Sequence, residues 1–509
     1  MTLIARKRPT DPAGAGLHIA PPDDPAAARR LQRAALNGTL LRVAERIYID
    51  NQPPAETSLS VRRHWQEIAG ALYPGAVVSH LSAFHGGVTS DGLLTLSHPT
   101  QFNRTRRLPG GLHIVLMRGP APLPGDIALG TAGLFWPSRA RMLLENLGIS
   151  RSAPPRRAGR SKVEEQLINI LNASGKAELN RVRDHARKLA RKLDAQKQFR
   201  MLDAITGALL GTHAKGQLKT HMGRLVAAGT PVDAGCMTRF KALADALRSA
   251  VLPSIADVAP AGAARIHSAF LESYFSNYVE GTRFSIAEAE DIVLRNRIVK
   301  SRPKDSHDVQ GVFAIAIHAV YRDTLPAPGE MFVAGLLARH KLMLSNRPEA
   351  NPGQLKLVQN YAGTTAFVPP GLVRGTLQEG SALALSVPEG LARAIFYAFV
   401  LAEVHPFTDG NGRLSRLLMN AELSRVGACR VIIPTLYHPQ YIDCLKVLTN
   451  NNDPAPFIKA ISTMARWCAR FSYADLPGLL KAMTACHAFE ESPVRFKLRN
   501  ADGSAFKPK

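Results

Sequence analysis

The chain has 509 residues, 46% of them hydrophobic and 20% charged, a balance that excludes a disordered or low-complexity protein and gives room for two to four domains without disulfide staples. Its 64 Lys and Arg against 40 Asp and Glu leave a net charge of +24, which favours nucleic acid, acidic partners or anionic surfaces. Five widely spaced cysteines, Cys236, Cys429, Cys444, Cys468 and Cys486, fit neither a metal knuckle nor a secreted disulfide framework, and predict a reducing cytoplasm.

The N-terminal stretch is basic but lacks the apolar run of a signal peptide, and residues 1–24, rich in Pro, Ala, Gly and Asp, are expected to form a flexible arm. A helix is predicted from Pro25 to Leu36, stopped by Asn37 and Gly38, followed by strands at 39–43 and 46–49 meeting near Ala44 and Glu45. Helix then hairpin suggests a winged helix. Two further helical segments break at Pro74 and Gly75. The strands "LLTLSHP" and "GLHIVLMRG" flank what reads as a basic loop, "QFNRTRRLPGG". His80, His85, His98 and His113 share no metal-ligand spacing, so no metal is expected there.

A Pro-, Gly- and Arg-bearing linker at 150–160 marks an expected boundary between a winged-helix α+β domain (25–150) and a basic helical region (151–250). That region holds 20 Lys and Arg against 8 Asp and Glu. Ser161 and Glu164 offer a capping box to its first helix. On the second, Leu179, Val182, Ala186, Leu189 and Leu193 recur at three- and four-residue steps opposite a Lys- and Arg-rich face. The pattern across 25–225 resembles the N-terminal antitoxin-like domains of abortive-infection type IV systems. That resemblance implies a toxin–antitoxin context and a winged helix that binds operator DNA.

From about 255 the chain reads as strongly helical. One amphipathic helix runs into "SNYVEG" at 276–281, and Ser285 with Glu288 caps the next. The turn-rich segment "QNYAGTTAFVPPGLV" predicts a short hairpin, and Ser386 with Glu389 is expected to cap the apolar helix at 391–404. That helix is too short, and with Arg393 and Glu403 too charged, to span a membrane. The next helix, after a polar loop at 405–416, carries Leu414, Leu417, Leu418 and Ala421 inward and stops at Gly427.

Between these two helices lies "HPFTDGNGRLSR", residues 405–416. Gly410, Asn411 and Gly412 fall where the second helix begins, so unpaired backbone N–H groups and the positive end of the helix dipole form a phosphate cradle. Arg413 and Arg416, three apart, oppose that dipole and imply a bound polyphosphate. Asp409 suits Mg²⁺, which takes one or two carboxylates together with phosphate oxygens. His405 is a candidate proton acceptor with an ordinary pKa near 6.5, and Phe407 is expected to pin the loop to the core.

His405, Phe407, Asp409, Gly410, Asn411, Gly412, Arg413 and Arg416 together resemble the complete signature of the Fic family, and the helical pattern agrees over 255–475. The resemblance implies transfer of AMP from ATP to a Ser, Thr or Tyr hydroxyl of a target protein. His405 is then the base, Asp409 the metal ligand, Asn411 and the glycine amides bind phosphate, and Arg413 and Arg416 grip the outer phosphates. It also implies that Ser276, Glu280 and Gly281 form an inhibitory motif whose glutamate occupies Arg416, and that the hairpin near Gly363 to Pro369 is a flap that holds the target by strand addition. The fold class expected is thus multidomain and mainly α: the winged-helix-like α+β domain, the basic helical region, an all-α Fic core (255–475) with its flap, and a C-terminal helix and basic tail (476–509). A cytoplasmic AMP transferase without a membrane partner is the leading expectation, and a homodimer is compatible with it. The alternatives are a DNA-binding regulator or antitoxin using the Fic region as a nucleotide sensor, an enzyme that removes AMP using Glu280 to position water, and a phosphocholine-type transfer.

Overall fold

The computed structural model describes residues 16–150 and 152–506. The greater part of the expected arm, residues 1–15, and the tip of the basic tail, 507–509, lie outside the described residues. The described chain divides at Ala227/Ala228 into two compact units. The division does not follow the expected boundary at 151 or the expected end of the basic region at 250. Leu143, Leu144 and Leu147, before the 150–160 linker, share one core with Leu167, Leu189 and Leu202 beyond it. The helix Ala234–Ser249 instead buries Phe240, Leu243 and Leu247 in the core of the second unit.

In the first unit the helix Pro25–Leu36 forms as expected, with Asp24 accepting from the Ala27 amide at its start. The hairpin follows as β2 (Leu40–Ala44) and β3 (Ile47–Asp50). Leu17–Ile19, expected within the loose arm, is a strand, β1, pairing antiparallel with β3. Asp50 fixes it by accepting from the Gly16 amide at 2.7 Å and contacting the His18 ring at 2.9 Å. The second sheet contains β4 (Val77–Val78), β5 (Leu93–His98), β6 (Arg104–Leu108), β7 (Leu112–Arg118), β8 (Ile127–Ala128) and β9 (Phe135–Trp136), in the order β6-β7-β5-β4-β9-β8. β6 corrects the reading of a basic loop. An edge strand tolerates arginine because one side of its ladder faces solvent, and charge there also blocks edge-to-edge association.

The helix Arg160–Ala190 does not use the expected Ser161–Glu164 box; its N-cap is Gly159, with no side-chain capping bond. Glu164 is buried and accepts from the Lys219 and Thr220 amides, each at 2.9 Å, and from the Thr220 hydroxyl at 2.6 Å. It therefore closes the start of the helix His221–Ala227. Glu164→Ala is expected to cost about 1–3 kcal/mol, because it strands buried donors, and the denaturant midpoint should fall accordingly. A midpoint shift indistinguishable from zero would show that water replaces the carboxylate there. On the second helical stretch Leu179, Val182, Ala186 and Leu189 are buried as expected, and Leu193 packs partly buried against them.

The second unit is helical around one large core. The helices Gly262–Tyr278, Ile286–Leu294, Pro303–Ile317, Glu330–Met343, Pro370–Ala384, Leu391–Val404 and Asn411–Arg425 follow in order. The Ser285–Glu288 capping box is formed. The Ser386–Glu389 cap is not: Gly390 is the N-cap of the apolar helix, and its amide donates to Glu422 at 3.0 Å. Glu389 pairs with Arg393 and Arg425 instead. The predicted hairpin is present as β10 (Tyr361–Ala362) and β11 (Thr365–Ala366). The C-terminal residues Leu476, Leu479, Met483 and Leu498 belong to the same core, so they form no separate body. Among the described residues no helix is long and apolar enough to cross a membrane.

Candidate active site

The apolar helix Leu391–Val404 ends at His405, whose φ of 50° and ψ of 60° turn the chain sharply into the loop. The helix Asn411–Arg425 begins after Gly410, itself left-handed at φ 79°. Between them, Phe407 is fully buried and stacks on His340 with ring centroids 3.8 Å apart. Asn411 clamps the loop from its far end. Its side-chain oxygen accepts from the Phe407 amide at 2.9 Å, and its side-chain nitrogen donates to the Phe407 carbonyl at 2.8 Å. Asn360 adds a second donor to the same carbonyl at 3.0 Å. His340 accepts from the Gly353 amide at Nδ1, so its Nε2 carries the hydrogen donated to the Asp409 carbonyl at 3.0 Å.

His405 keeps Nδ1 near the Ala402 carbonyl at 3.3 Å, and Phe367 from the hairpin stacks on its ring at 3.8 Å. A proton on Nδ1 leaves Nε2 as an acceptor. Burial pushes the imidazole pKa down to about 4, against the ordinary 6.5 assumed from sequence, so the ring is neutral near pH 7. Burial likewise depresses His340 and His438 to about 4. Each folded-state pKa lies below its unfolded value. The unfolded chain therefore binds more protons between about pH 6.5 and 4, and stability is lost as pH falls through that window. The urea midpoint of the intact chain is expected to drop steadily from pH 7 to 4.5; a midpoint flat across the interval would contradict buried neutral histidines.

Asp409 is half-exposed, accepts from the Gly410 amide at 2.6 Å and pairs with Arg413 at 3.0 Å. Arg413 is not the free cation expected. It is buried against Asp308 at 3.1 Å, Asp409 and the Asn277 side-chain oxygen at 3.4 Å. The two arginines at the dipole's positive end are thus balanced by protein carboxylates rather than left for a polyphosphate alone.

Arg416 is also held. Its Nε donates to the Ser276 hydroxyl and one terminal nitrogen to the Ser276 carbonyl, both at 3.0 Å. The same terminal nitrogen contacts Glu280 at 2.8 Å. Glu280 lies in the turn after the helix Gly262–Tyr278, just before Gly281 at φ 95°. Burial opposes its charge, but the Arg416 guanidinium outweighs that and holds the carboxyl below its usual range. A Cβ built on Gly412 would fall 2.1 Å from a Glu280 carboxylate oxygen, so Glu280 rests directly on the first turn of the helix, where an anion would sit.

These groups border one cavity of about 270 Å³. His405, Asp409, Gly410, Asn411, Gly412, Arg416 and Glu280 line it, as do Ala362, Thr365 and Phe367 from the hairpin region and His438 and Tyr441 from the helix His438–Asn451. Among the described residues no group of three or more His, Cys, Asp or Glu gathers as a metal site, so an ion at Asp409 would take its remaining ligands from substrate and water. One half-exposed carboxylate beside a bed of amides suits Mg²⁺ bound with phosphate. Asp308, Asn277, His340, Lys356, Asn360 and Phe367 were not singled out from sequence. Lys356, whose amide donates to the Pro406 carbonyl and whose ammonium reaches Asn360 at 2.6 Å, is pushed by burial to a pKa of about 8. No local pattern marks Asp308, His340 or Lys356, which only the packing brings to the loop; Asn277 lies within 276–281, and Asn360 and Phe367 within the predicted hairpin segment.

Residues 333–423 match the model of the Fic/DOC family, a span that contains the 405–416 loop and not the 276–281 turn. Among curated relatives, a protein of Drosophila grimshawi named protein adenylyltransferase Fic is 29% identical over 197 residues, covering 38% of this chain and 40% of its own. The Drosophila melanogaster protein of the same name is 28% identical over the same length and shares. The aligned stretch spans about two fifths of the length of these relatives. Among solved structures, Fic-1 (134–508) from C. elegans is 19% identical with a TM-score of 0.34, over 64% of this chain and 90% of that one. A Fic domain containing signaling protein from Bacteroides thetaiotaomicron gives 16% and 0.37, over 48% and 97%.

Proposed function

We propose that the chain is a self-inhibited protein adenylyltransferase. The observation that carries this reading is the cavity in which a neutral imidazole, a helix-start amide cradle and a carboxylate-clamped arginine converge. The reaction moves AMP from ATP to a Ser, Thr or Tyr hydroxyl of a target protein. The hydroxyl oxygen bonds to the α-phosphorus, the bond to the bridging oxygen breaks, and pyrophosphate leaves. His405 Nε2 takes the hydroxyl proton, its acceptor character set by the Nδ1 contact to Ala402. The amides of Asn411 and Gly412 and the Asn411-braced loop hold the phosphates, and the held geometry supplies most of the rate. Asp409 would hold Mg²⁺, which when bound neutralises phosphate charge.

Glu280 is the brake in this reading. Its carboxylate sits against the amides of the cradle and engages the guanidinium that would otherwise serve an outer phosphate. The β10–β11 hairpin, with Tyr361 exposed, supports a target segment added as a strand beside His405. Mass spectrometry of proteins incubated with the Glu280→Gly chain and ATP tests the activity: an adenylyl mass on a hydroxyl residue supports it, and an unmodified proteome opposes it.

A second reading, a DNA-binding regulator with a winged helix, is favoured by charge. Residues 1–227 hold 33 Lys and Arg against 16 Asp and Glu, and 228–509 hold 31 against 24. Arg104 and Arg107 on the edge strand β6 are exposed. Salt-sensitive DNA binding without protein labelling would favour that reading over transfer.

A further inference from the structure

His405 stands at a strained point of the chain. Its φ of 50° and ψ of 60° are left-handed, a conformation unfavourable for any residue with a Cβ, and one that persists only where the surroundings over-determine it. It also follows the last turn of the helix Leu391–Val404, whose final carbonyls have no partner within the helix. Lys356 and Asn360 supply the partners. The Lys356 amide donates to the Pro406 carbonyl at 2.9 Å and its ammonium to the Val404 carbonyl at 3.3 Å, so one residue grips both neighbours of His405. Asn360 donates to the Phe407 carbonyl at 3.0 Å and reaches the His405 carbonyl at 3.5 Å.

Lys356 is only 3% exposed, and the two oxygens its ammonium meets, the Val404 carbonyl and Asn360 Oδ1 at 2.6 Å, are both uncharged. A buried cation without a carboxylate beside it opposes folding, and burial pushes its pKa down to about 8. A methionine would fill the same space without that cost, so stability does not account for a lysine here. Orientation does. An ammonium can only donate, so Asn360 Oδ1 faces it, and Asn360 Nδ2 is thereby turned toward the carbonyls of the loop. The negative end of the helix dipole at Val404 favours the same cation. The ammonium also lies 5.9 Å from the centre of the Phe367 ring, which stacks on the His405 imidazole. The imidazole is thus tied to Lys356 through its backbone and through its ring.

We propose that Lys356 is a positioning residue for His405: its ammonium holds the Val404 carbonyl and fixes the Asn360 side chain, and so sets the turn that aims the imidazole at the acceptor hydroxyl. The proposal rests on the reading of the cavity as an AMP-transfer site with His405 as its base. Lys356 does not line that cavity and touches no substrate, so it acts on the rate only through the loop.

The test compares the full chain carrying Glu280→Gly with the same chain carrying in addition Lys356→Met or Lys356→Arg. AMP transfer is measured with ATP, Mg²⁺ and the acceptor that mass spectrometry identifies for the parent, and the urea midpoint is measured beside it. Lys356→Met, which keeps the length and the burial, is expected to lower kcat about 10²-fold through a misplaced base. The KM for ATP should stay unchanged, and the midpoint should equal or exceed that of the parent, because a buried unpaired charge is gone. Lys356→Arg keeps a cation with several donors and should bring kcat back to within about tenfold of the parent. A kcat equal to the parent's in Lys356→Met, or a defect confined to KM, overturns the proposal. So does a kcat lost in both variants together with a lowered midpoint, which would make Lys356 a structural residue only. Absence of AMP transfer by the parent itself overturns the reading of the cavity, and the positioning role with it.

Discussion

Glu280→Gly is expected to raise AMP incorporation into an acceptor protein by about one to two orders of magnitude, corresponding to the roughly 1.5–3 kcal/mol of a hydrogen bond to a charged group. The carboxylate has two effects that the substitution removes together. It satisfies Arg416 at 2.8 Å, and it lies against Gly412 where the first-turn amides would otherwise meet phosphate. Ser276 keeps its two contacts to Arg416 in the variant, so the guanidinium stays oriented while its outward edge is freed. The turn itself should survive, because residue 280 follows the last helical residue, Tyr278, and glycine imposes no clash there. Labelling by wild type equal to that by Glu280→Gly would remove the brake from the account.

His405→Ala should abolish transfer in the Glu280→Gly background, a loss of about 10²–10⁴-fold if general-base assistance is all that disappears. Nucleotide binding should persist, since the cradle depends on Asn411, Gly410 and Gly412 and none of their bonds runs through the imidazole. The ring does stack on Phe367, so the hairpin is expected to loosen. Single-turnover labelling with saturating ATP separates the two effects: a defect that saturating nucleotide and target cannot restore belongs to the missing base. Labelling that survives at more than a tenth of the parent rate would show that another group takes the proton.

The site was legible in sequence where its residues are neighbours in the chain. His405 to Arg416 form one loop and one helix start, and Ser276 to Gly281 form one helix end and the turn after it. The anions that balance Arg413 were not legible, because Asp308 lies on the helix Pro303–Ile317 and joins the site only through packing. Capping patterns show the same limit. Ser285–Glu288 forms its box, whereas Ser161–Glu164 has the same spacing and fails, since Glu164 finds stronger use at the start of a helix more than fifty residues away. Ser386–Glu389 fails for a related reason: Arg393 and Arg425 capture Glu389, and Glu422 serves the vacant amide. In the first unit, arginine content hid β6, although an edge strand is where a sheet can carry such charge. The strand Leu17–Ile19 was hidden by its brevity and by the proline- and aspartate-rich residues around it.

The most direct test of the account is the fate of phosphorus. The Glu280→Gly chain is incubated with an acceptor protein and Mg²⁺ together with ATP labelled at either its α- or its γ-phosphorus, and protein-bound label is measured after denaturation. The account predicts covalent label from the α-position alone, absent when His405 is alanine. Label from the γ-position, or tight ATP binding with no covalent label from either, would contradict it.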